Sequence, residues 1–359
     1  MVQTLLASTL YGFGVWFAVR GAAPRLRVPV AVALVAWMFS PWLLLWDARV
    51  VTEAGALAGC SLAAVGAGRL ATRASGPGAM VLGLAVAVSA RPITIIVLVP
   101  IVGLALLLAR GQRRWRAAVV LFVLISGLGA ANAIVFEKGT ELSNGRNVDG
   151  LRAASRLMER SDHVGYLDAA RKHGMPACDE VDDALASGDR DFVSIWDAPC
   201  ADFRAWLDEG GLPWTAEFRA EPVAMRAGFV DPGDWATKPM SPYWLLDGRF
   251  YTASEVLGSS WRPLLTAVNV LMFTALAGAV AIAAWPRGPG RLFSVATVVI
   301  CIAVSFVAWA TDGMEYWRHL LPSFATLFPA VIAARSASPR PVSDPPPVEP
   351  KADRISGRS

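Results

Sequence analysis

The chain has 359 residues, with 33 Lys+Arg against 29 Asp+Glu and a formal net charge of +4. Hydrophobic residues make up 55% and charged residues only 17%, against roughly 25% charged in ordinary soluble domains. That excludes a string of soluble domains and points to an all-α polytopic membrane protein. Only Lys138, Lys172, Lys238 and Lys351 are lysines, and no basic pattern calls for nucleic acid.

Apolar runs approaching the roughly 20 residues that a bilayer core requires occur at about Thr4–Val19, Val28–Trp46, Val50–Gly68, Ala79–Ala90, Pro92–Ala109, Ala117–Phe136, Pro263–Trp285, Leu292–Trp309 and Leu320–Ala334. They predict about nine transmembrane helices. The fourth is short, and Arg91–Pro92 parts it only narrowly from the fifth, so one bent or re-entrant element is an alternative there. The chain divides into an N-terminal bundle (1–136), a mainly helical extracytoplasmic insert (137–262), C-terminal transmembrane helices (263–334) and a Pro/Ser-rich tail (335–359) expected to be disordered.

Loop cations set the direction. Arg20, Arg25, Arg27, Arg69, Arg73, Arg110, Arg113, Arg114, Arg116, Arg287 and Arg291 fall in one set of short loops that holds no Asp or Glu. The opposite short loops hold Arg49, Arg91 and Arg318 with Asp47, Glu53, Asp312 and Glu315. The first set is expected inside, in the cytoplasm, with the tail. Trp46, Trp261, Trp285, Trp309 and Trp317 mark span ends, as interfacial aromatics do. Met1 then begins on the outer face with no cationic segment of a signal peptide before it. The expectation is that an earlier span precedes residue 1, a genuine N-out start being the alternative.

The insert carries 22 acidic and 14 basic residues, so its −8 is offset by +12 in the remainder. Leu151, Ala154, Leu157 and Met158 recur at helical spacing, as do Leu167, Ala170 and Arg171. Ala201–Glu209 stops at Gly210–Gly211, and Trp214–Phe229 is amphipathic. Cys178 and Cys200 both fall in this outer, oxidising region and are expected to form a disulfide. His163 and His173 lack zinc-ligand spacing, so no metal is assigned. Cys60 and Cys301 lie in apolar spans and read as small buried hydrophobes.

Charges at membrane depth are costly and mark sites. Glu53 opens an apolar helix, Arg91 breaks an apolar stretch on the same face, and Asp312, Glu315, Arg318 and His319 crowd one short segment. On a helix Asp312, Glu315 and His319 share a face. Arginine offers a planar donor fork and histidine a tunable proton donor, both suited to a phosphate leaving group. Glycine-rich stretches such as 64–68 fit close helix packing, and no nucleotide-binding glycine motif is present.

Trp46-Asp47 with Val51-Thr52-Glu53-Ala54, then Ala90-Arg91-Pro92, then Asp312-x-x-Glu315-x-x-Arg318-His319-x-Leu321-Pro322 resembles the pattern of GT-C fold integral-membrane glycosyltransferases. The bacterial glycan-biosynthesis hexosyltransferases, related to polyprenyl-phosphate-sugar-dependent mannosyltransferases, are the nearest in kind. Gly174-Met175-Pro176 and Trp206-Leu207-x-x-x-Gly211 resemble their outer domain. The resemblance spans about residues 1–335. It implies a transferase in the bacterial plasma membrane that takes a sugar from a polyprenyl-phosphate-linked donor to a cell-envelope glycan or protein acceptor. Arg318, His319 and Arg91 would bind the donor phosphate, and Glu53, Asp312 and Glu315 would line the pocket. It further implies a catalytic acid in an outer loop upstream of residue 1, so no residue here is assigned that role, and no cofactor or divalent metal is assigned. A lipid-linked glycan flippase is the alternative from another class, expected to show internal repeats and mid-membrane charges, neither of which the sequence has. A non-catalytic envelope-assembly protein is the third.

Overall fold

The computed structural model describes residues 2–40, 51–73, 77–91, 94–109, 165–187, 195–220, 244–246, 249–251, 262–311 and 316–338, with single positions at 43, 118, 127, 150, 153, 154, 156–158 and 161. Among these the chain is helical apart from one short hairpin. In chain order the helices are α1 (Val2–Gly21), α2 (Arg27–Met38), α3 (Val51–Arg73), α4 (Pro77–Ala90), α5 (Ile95–Leu108), α6 (Tyr166–Lys172), α7 (Asp179–Ser187), α8 (Ala201–Asp208), α9 (Trp214–Ala220), α10 (Arg262–Ala284), α11 (Arg291–Thr311) and α12 (Tyr316–Arg335). Strands β1 (Trp244–Leu246) and β2 (Arg249–Tyr251) pair antiparallel, Leu245 opposite Phe250. The run Ala117–Phe136 lies almost wholly outside the described residues.

Helix α3 is the axis of the larger body. It packs most extensively on α4, then on α12, α1 and α5. Small residues make this possible. A Cβ on Gly59 would stand 2.5 Å from the Ala87 backbone nitrogen and 2.7 Å from the Gly83 carbonyl oxygen. Gly83 in turn meets the backbone of Ala63, and Gly66 that of Met80. Backbones this close gain dispersion contacts along a whole face, the device by which helices associate where no water drives them together. On its other side α3 runs parallel to α12. The Ser61 hydroxyl donates to the Ala325 carbonyl at 3.0 Å, and a Cβ on Gly68 would stand 2.7 Å from the Ala330 oxygen. Trp37 of α2 stacks on Phe328 of α12 at 4.7 Å, and Phe273 of α10 meets Phe324 edge-on at 6.1 Å.

Two stretches, Ala54–Thr72 and Arg291–Ala308, are long and apolar enough to cross a membrane. Pro77–Ala90, Ile95–Leu108, Val270–Ala284 and Leu320–Arg335 are shorter apolar helical stretches. The 14 residues of α4 rise only about 21 Å, less than the roughly 30 Å of a hydrocarbon core. α4 and α5 are separate helices, parted at Arg91. The outer surfaces of α1, α2, α10 and α11 expose Leu5, Trp16, Val28, Val32, Leu271, Leu292 and Val299, a surface that water disfavours and lipid suits.

One end of this body gathers the arginine-rich loops. The turn after α1 joins the segment after α12: the Ala23 N–H donates to Ser336 at 3.0 Å, and Ala22 bridges Ala337. Arg335 donates to the carbonyls of Trp285 at 2.8 Å, Gly288 at 3.2 Å and Pro289 at 3.3 Å, fastening the loop between α10 and α11. Burial, then the neighbouring charge of Arg291, lowers the Arg335 guanidinium from its ordinary value.

A second buried cluster forms the insert, from Leu157, Tyr166, Ala170, Met175, Val181, Ile195, Phe203, Trp206 and Leu207 among others. The helix α8 ends where Gly210 takes φ +97. Its N–H donates to Leu207 at 2.8 Å and that of Gly211 to Trp206 at 3.0 Å, the paired bonds that close a helix on a left-handed residue. The hairpin is the one non-helical element among the described residues of a mainly helical insert.

Candidate functional site

Of the charges singled out in the sequence, Glu53 lies on α3, Arg318 and His319 lie on α12, and Arg91 directly follows α4. α3 and α12 both begin at the end opposite the arginine-rich loops, and α4 finishes there. The Ser61–Ala325 hydrogen bond fixes their relative height. Glu53 lies eight residues before Ser61 and Arg318 seven before Ala325. At about 1.5 Å per residue both backbones stand about 10–12 Å above that bond, hence level with one another. A Cβ on Gly55 would approach the Ala90 methyl at 3.2 Å, which brings Arg91, next in the chain, to the height of Glu53. The backbones of Glu53, Arg91, Arg318 and His319 therefore share one end of one helix trio. Asp312 and Glu315 lie outside the described residues, as do Asp47 and Arg49.

Arg91 is held in place. Its N–H donates to the Ala87 carbonyl at 2.8 Å, and its own carbonyl accepts from the Thr94 N–H at 3.0 Å and the Thr94 hydroxyl at 2.8 Å. Thr94 is fully buried, so this turn is locked from beneath while the Arg91 side chain is half-buried. Pro92 suits the break between α4 and α5, since proline cannot supply the N–H a continuing helix needs.

The same geometry sums backbone dipoles. α3, α5 and α12 all start at this end, at Val51, Ile95 and Tyr316, and they touch one another. Each helix start carries roughly half a positive charge. Three such starts at one end favour an anion there, and the backbones of Arg91, Arg318 and His319 lie at the same end. Glu53, in the first turn of α3, is the acidic residue such a dipole favours.

In the insert, Cys178 and Cys200 form a disulfide, Cα–Cα 5.9 Å. It ties the start of α7 to the start of α8. The Glu180 carboxylate lies 3.5 Å from both sulfurs, and these three residues bring ligand-type atoms within 4.8 Å. Joined sulfurs have no thiolate to offer a cation. Arg171 pairs with Asp182 and donates to the Pro176 carbonyl at 2.6 Å, fixing the Gly174-Met175-Pro176 turn. The Trp206 indole N–H donates to the His173 carbonyl at 3.2 Å.

Two features escaped the sequence reading. Glu217 is 2% exposed on α9, a helix whose Ala216 packs on the insert core and whose Phe218 packs on the bundle core. The amphipathic stretch 214–229 announced the helix but not the burial of its acid. The hairpin had a local signal, Asp247-Gly248 between Trp244-Leu245-Leu246 and Arg249-Phe250-Tyr251, the dipeptide that tight hairpin turns favour. Compared with models of known families, with characterised proteins and with solved structures, the chain matches none.

Proposed function

We propose that the chain is a membrane glycosyltransferase, or the larger part of one. It moves a sugar from a polyprenyl-phosphate-linked donor to a glycan or protein acceptor on the outer face of a bacterial plasma membrane. The observation that supports this reading is that the backbones of Arg91, Arg318 and His319 lie at the end of the bundle where α3, α5 and α12 start. Such a corner suits a phosphate monoanion or dianion at the membrane surface, and the exposed apolar flanks of α1, α2, α10 and α11 suit an isoprenoid lying beside it. About nine spans, the insert 137–262 outside and the tail inside complete the proposed topology, supported by the separation of arginine-rich and mixed-charge ends.

The acceptor hydroxyl attacks the anomeric carbon, a new C–O bond forms, and the bond from that carbon to the phosphate oxygen breaks. Arg91, Arg318 and His319 stabilise the charge that gathers on the departing polyprenyl phosphate. Glu53 helps shape the pocket. The hydroxyl proton goes to a base to which no residue here is assigned.

The test uses membranes containing a full-length form of the protein that is active in transfer, and a radiolabelled polyprenyl-phosphate hexose. Transfer to endogenous acceptor should fall roughly 100- to 1,000-fold on Arg318→Ala or His319→Ala, the scale on which lost transition-state donors act. Unchanged transfer in both variants would refute the assignment. Donor crossing the bilayer with its sugar still attached would favour a flippase instead.

A further inference from the structure

We propose that the arginine-rich end of the bundle is a docking surface for anionic phospholipid headgroups, held by Arg20, Arg25, Arg27, Arg287 and Arg291. This rests on the membrane orientation proposed above but not on sugar transfer. Among the described residues of the bundle, 2–40, 54–73, 77–91, 94–109, 263–311 and 316–338 contain no Asp or Glu, so these stretches bring no carboxylate to answer these cations. The structure then collects the cations rather than scattering them. The turn carrying Arg25 and Arg27 is tied to Ser336, and the loop carrying Arg287 is tied to Arg335. Gly21 seats the buried Arg69 of α3, while Gly290 packs on Thr72, one turn further along α3, and on Ala334. Both loops thus rest on the last turns of α3 and α12.

Arg25, Arg27, Arg287 and Arg291 are exposed, and Arg20 lies 5.3 Å over the Trp16 ring. Immediately after Arg27 and Arg291 stand Val28 and Leu292, 72% and 65% exposed, and Trp285 is 64% exposed. A cation beside an outward apolar side chain and an interfacial tryptophan suits a headgroup with its acyl chain attached. A free anion would gain nothing from the apolar part. Because one loop is fastened by the Ala23–Ser336 backbone bond and the other by the Arg335 guanidinium, the surface is preformed, which limits the ordering that binding requires.

The experiment titrates the full chain in neutral detergent with phosphatidylglycerol in mixed micelles and follows the thermal midpoint. A saturable rise is expected with phosphatidylglycerol and none with phosphatidylcholine or inorganic phosphate. About 0.5 M NaCl, where charges are screened within about 4 Å, should weaken the wild-type response. The triple variant Arg25→Gln, Arg27→Gln, Arg287→Gln should need at least about tenfold more lipid for half its effect, given roughly fivefold per surface cation. The corresponding triple lysine variant should recover most of the response. Equal stabilisation by phosphatidylcholine or by inorganic phosphate, a salt-insensitive response, or equal responses of the wild type and the glutamine variant would overturn the proposal. A chain that stays in solution without detergent would overturn the membrane orientation beneath it, whereas lost sugar transfer with an intact lipid response would refute only the transferase.

Discussion

At Cys178 and Cys200 one covalent bond sets how α7 and α8 meet. It closes a loop of sequence separation 22, for which the chain-entropy argument gives about 3 kcal/mol. We expect Cys200→Ser to leave the bundle helices intact and to make the insert cleavable by protease at a several-degree lower temperature. Cleavage at the wild-type temperature would show that the bond is dispensable. The Glu180 carboxylate, 3.5 Å from both sulfurs, repels an incoming thiolate. Glu180→Gln should therefore speed reduction by glutathione about threefold, measured by alkylation of released thiols. Arg91 has a different task. Its turn is anchored by buried Thr94, and its fork is expected to bind donor before and during reaction. Arg91→Ala should raise the donor KM about tenfold with a smaller change in kcat, and Arg91→Lys should recover little because a lysine lacks the paired donors.

At the scale of elements, the contact of α3 with α4 depends on the missing side chains of Gly59, Gly66 and Gly83. A valine at Gly59 would drive its Cβ into the Ala87 backbone, which cannot yield as a flexible side chain can. We expect Gly59→Val to cost about 3 kcal/mol or more, at the upper end of overpacking penalties, read as a lowered thermal midpoint in detergent. Gly103→Ala on α5, whose Cβ would meet nothing within 4 Å, should hold or raise that midpoint, since alanine favours a helix interior over glycine. These elements show what a sequence displays and what it hides. The runs around Val51–Arg73 and Arg291–Thr311 were legible because apolar length is a one-dimensional property. The partner of Gly59 was not, since glycine spacing says that something approaches closely without naming it. The heights of Glu53, Arg91 and Arg318 were likewise invisible until the Ser61–Ala325 bond and the Gly55–Ala90 approach aligned three separate helices. Arg318 and His319 stood out in the sequence because charge at the edge of an apolar run is rare. The burial of Glu217 was not, since α9 is amphipathic and its acid could as well have faced water.

For the molecule as a whole, the helical bundle has two opposed ends. Among the described residues, one gathers arginines without acids around the ends of α3 and α12, and the other holds the backbones of Glu53, Arg318 and His319 at the starts of the same two helices and that of Arg91 just after α4. Single cysteines placed at Arg25 and at Arg91 in a background lacking Cys60 and Cys301 should react with a membrane-impermeant maleimide from opposite faces, and labelling of both from one face would refute the two-ended arrangement. The central claim is that the end bearing Arg318 and His319 holds a lipid-linked phosphate. Its most direct test is the binding of a polyprenyl phosphate to the chain in nanodiscs, with the uncharged polyprenol as control. We expect saturable binding of the phosphate alone, weakened at least tenfold by Arg318→Ala or His319→Ala and unaffected by glutamines at Arg25, Arg27 and Arg287. Equal binding of polyprenol and its phosphate, or undiminished binding in both alanine variants, would contradict it.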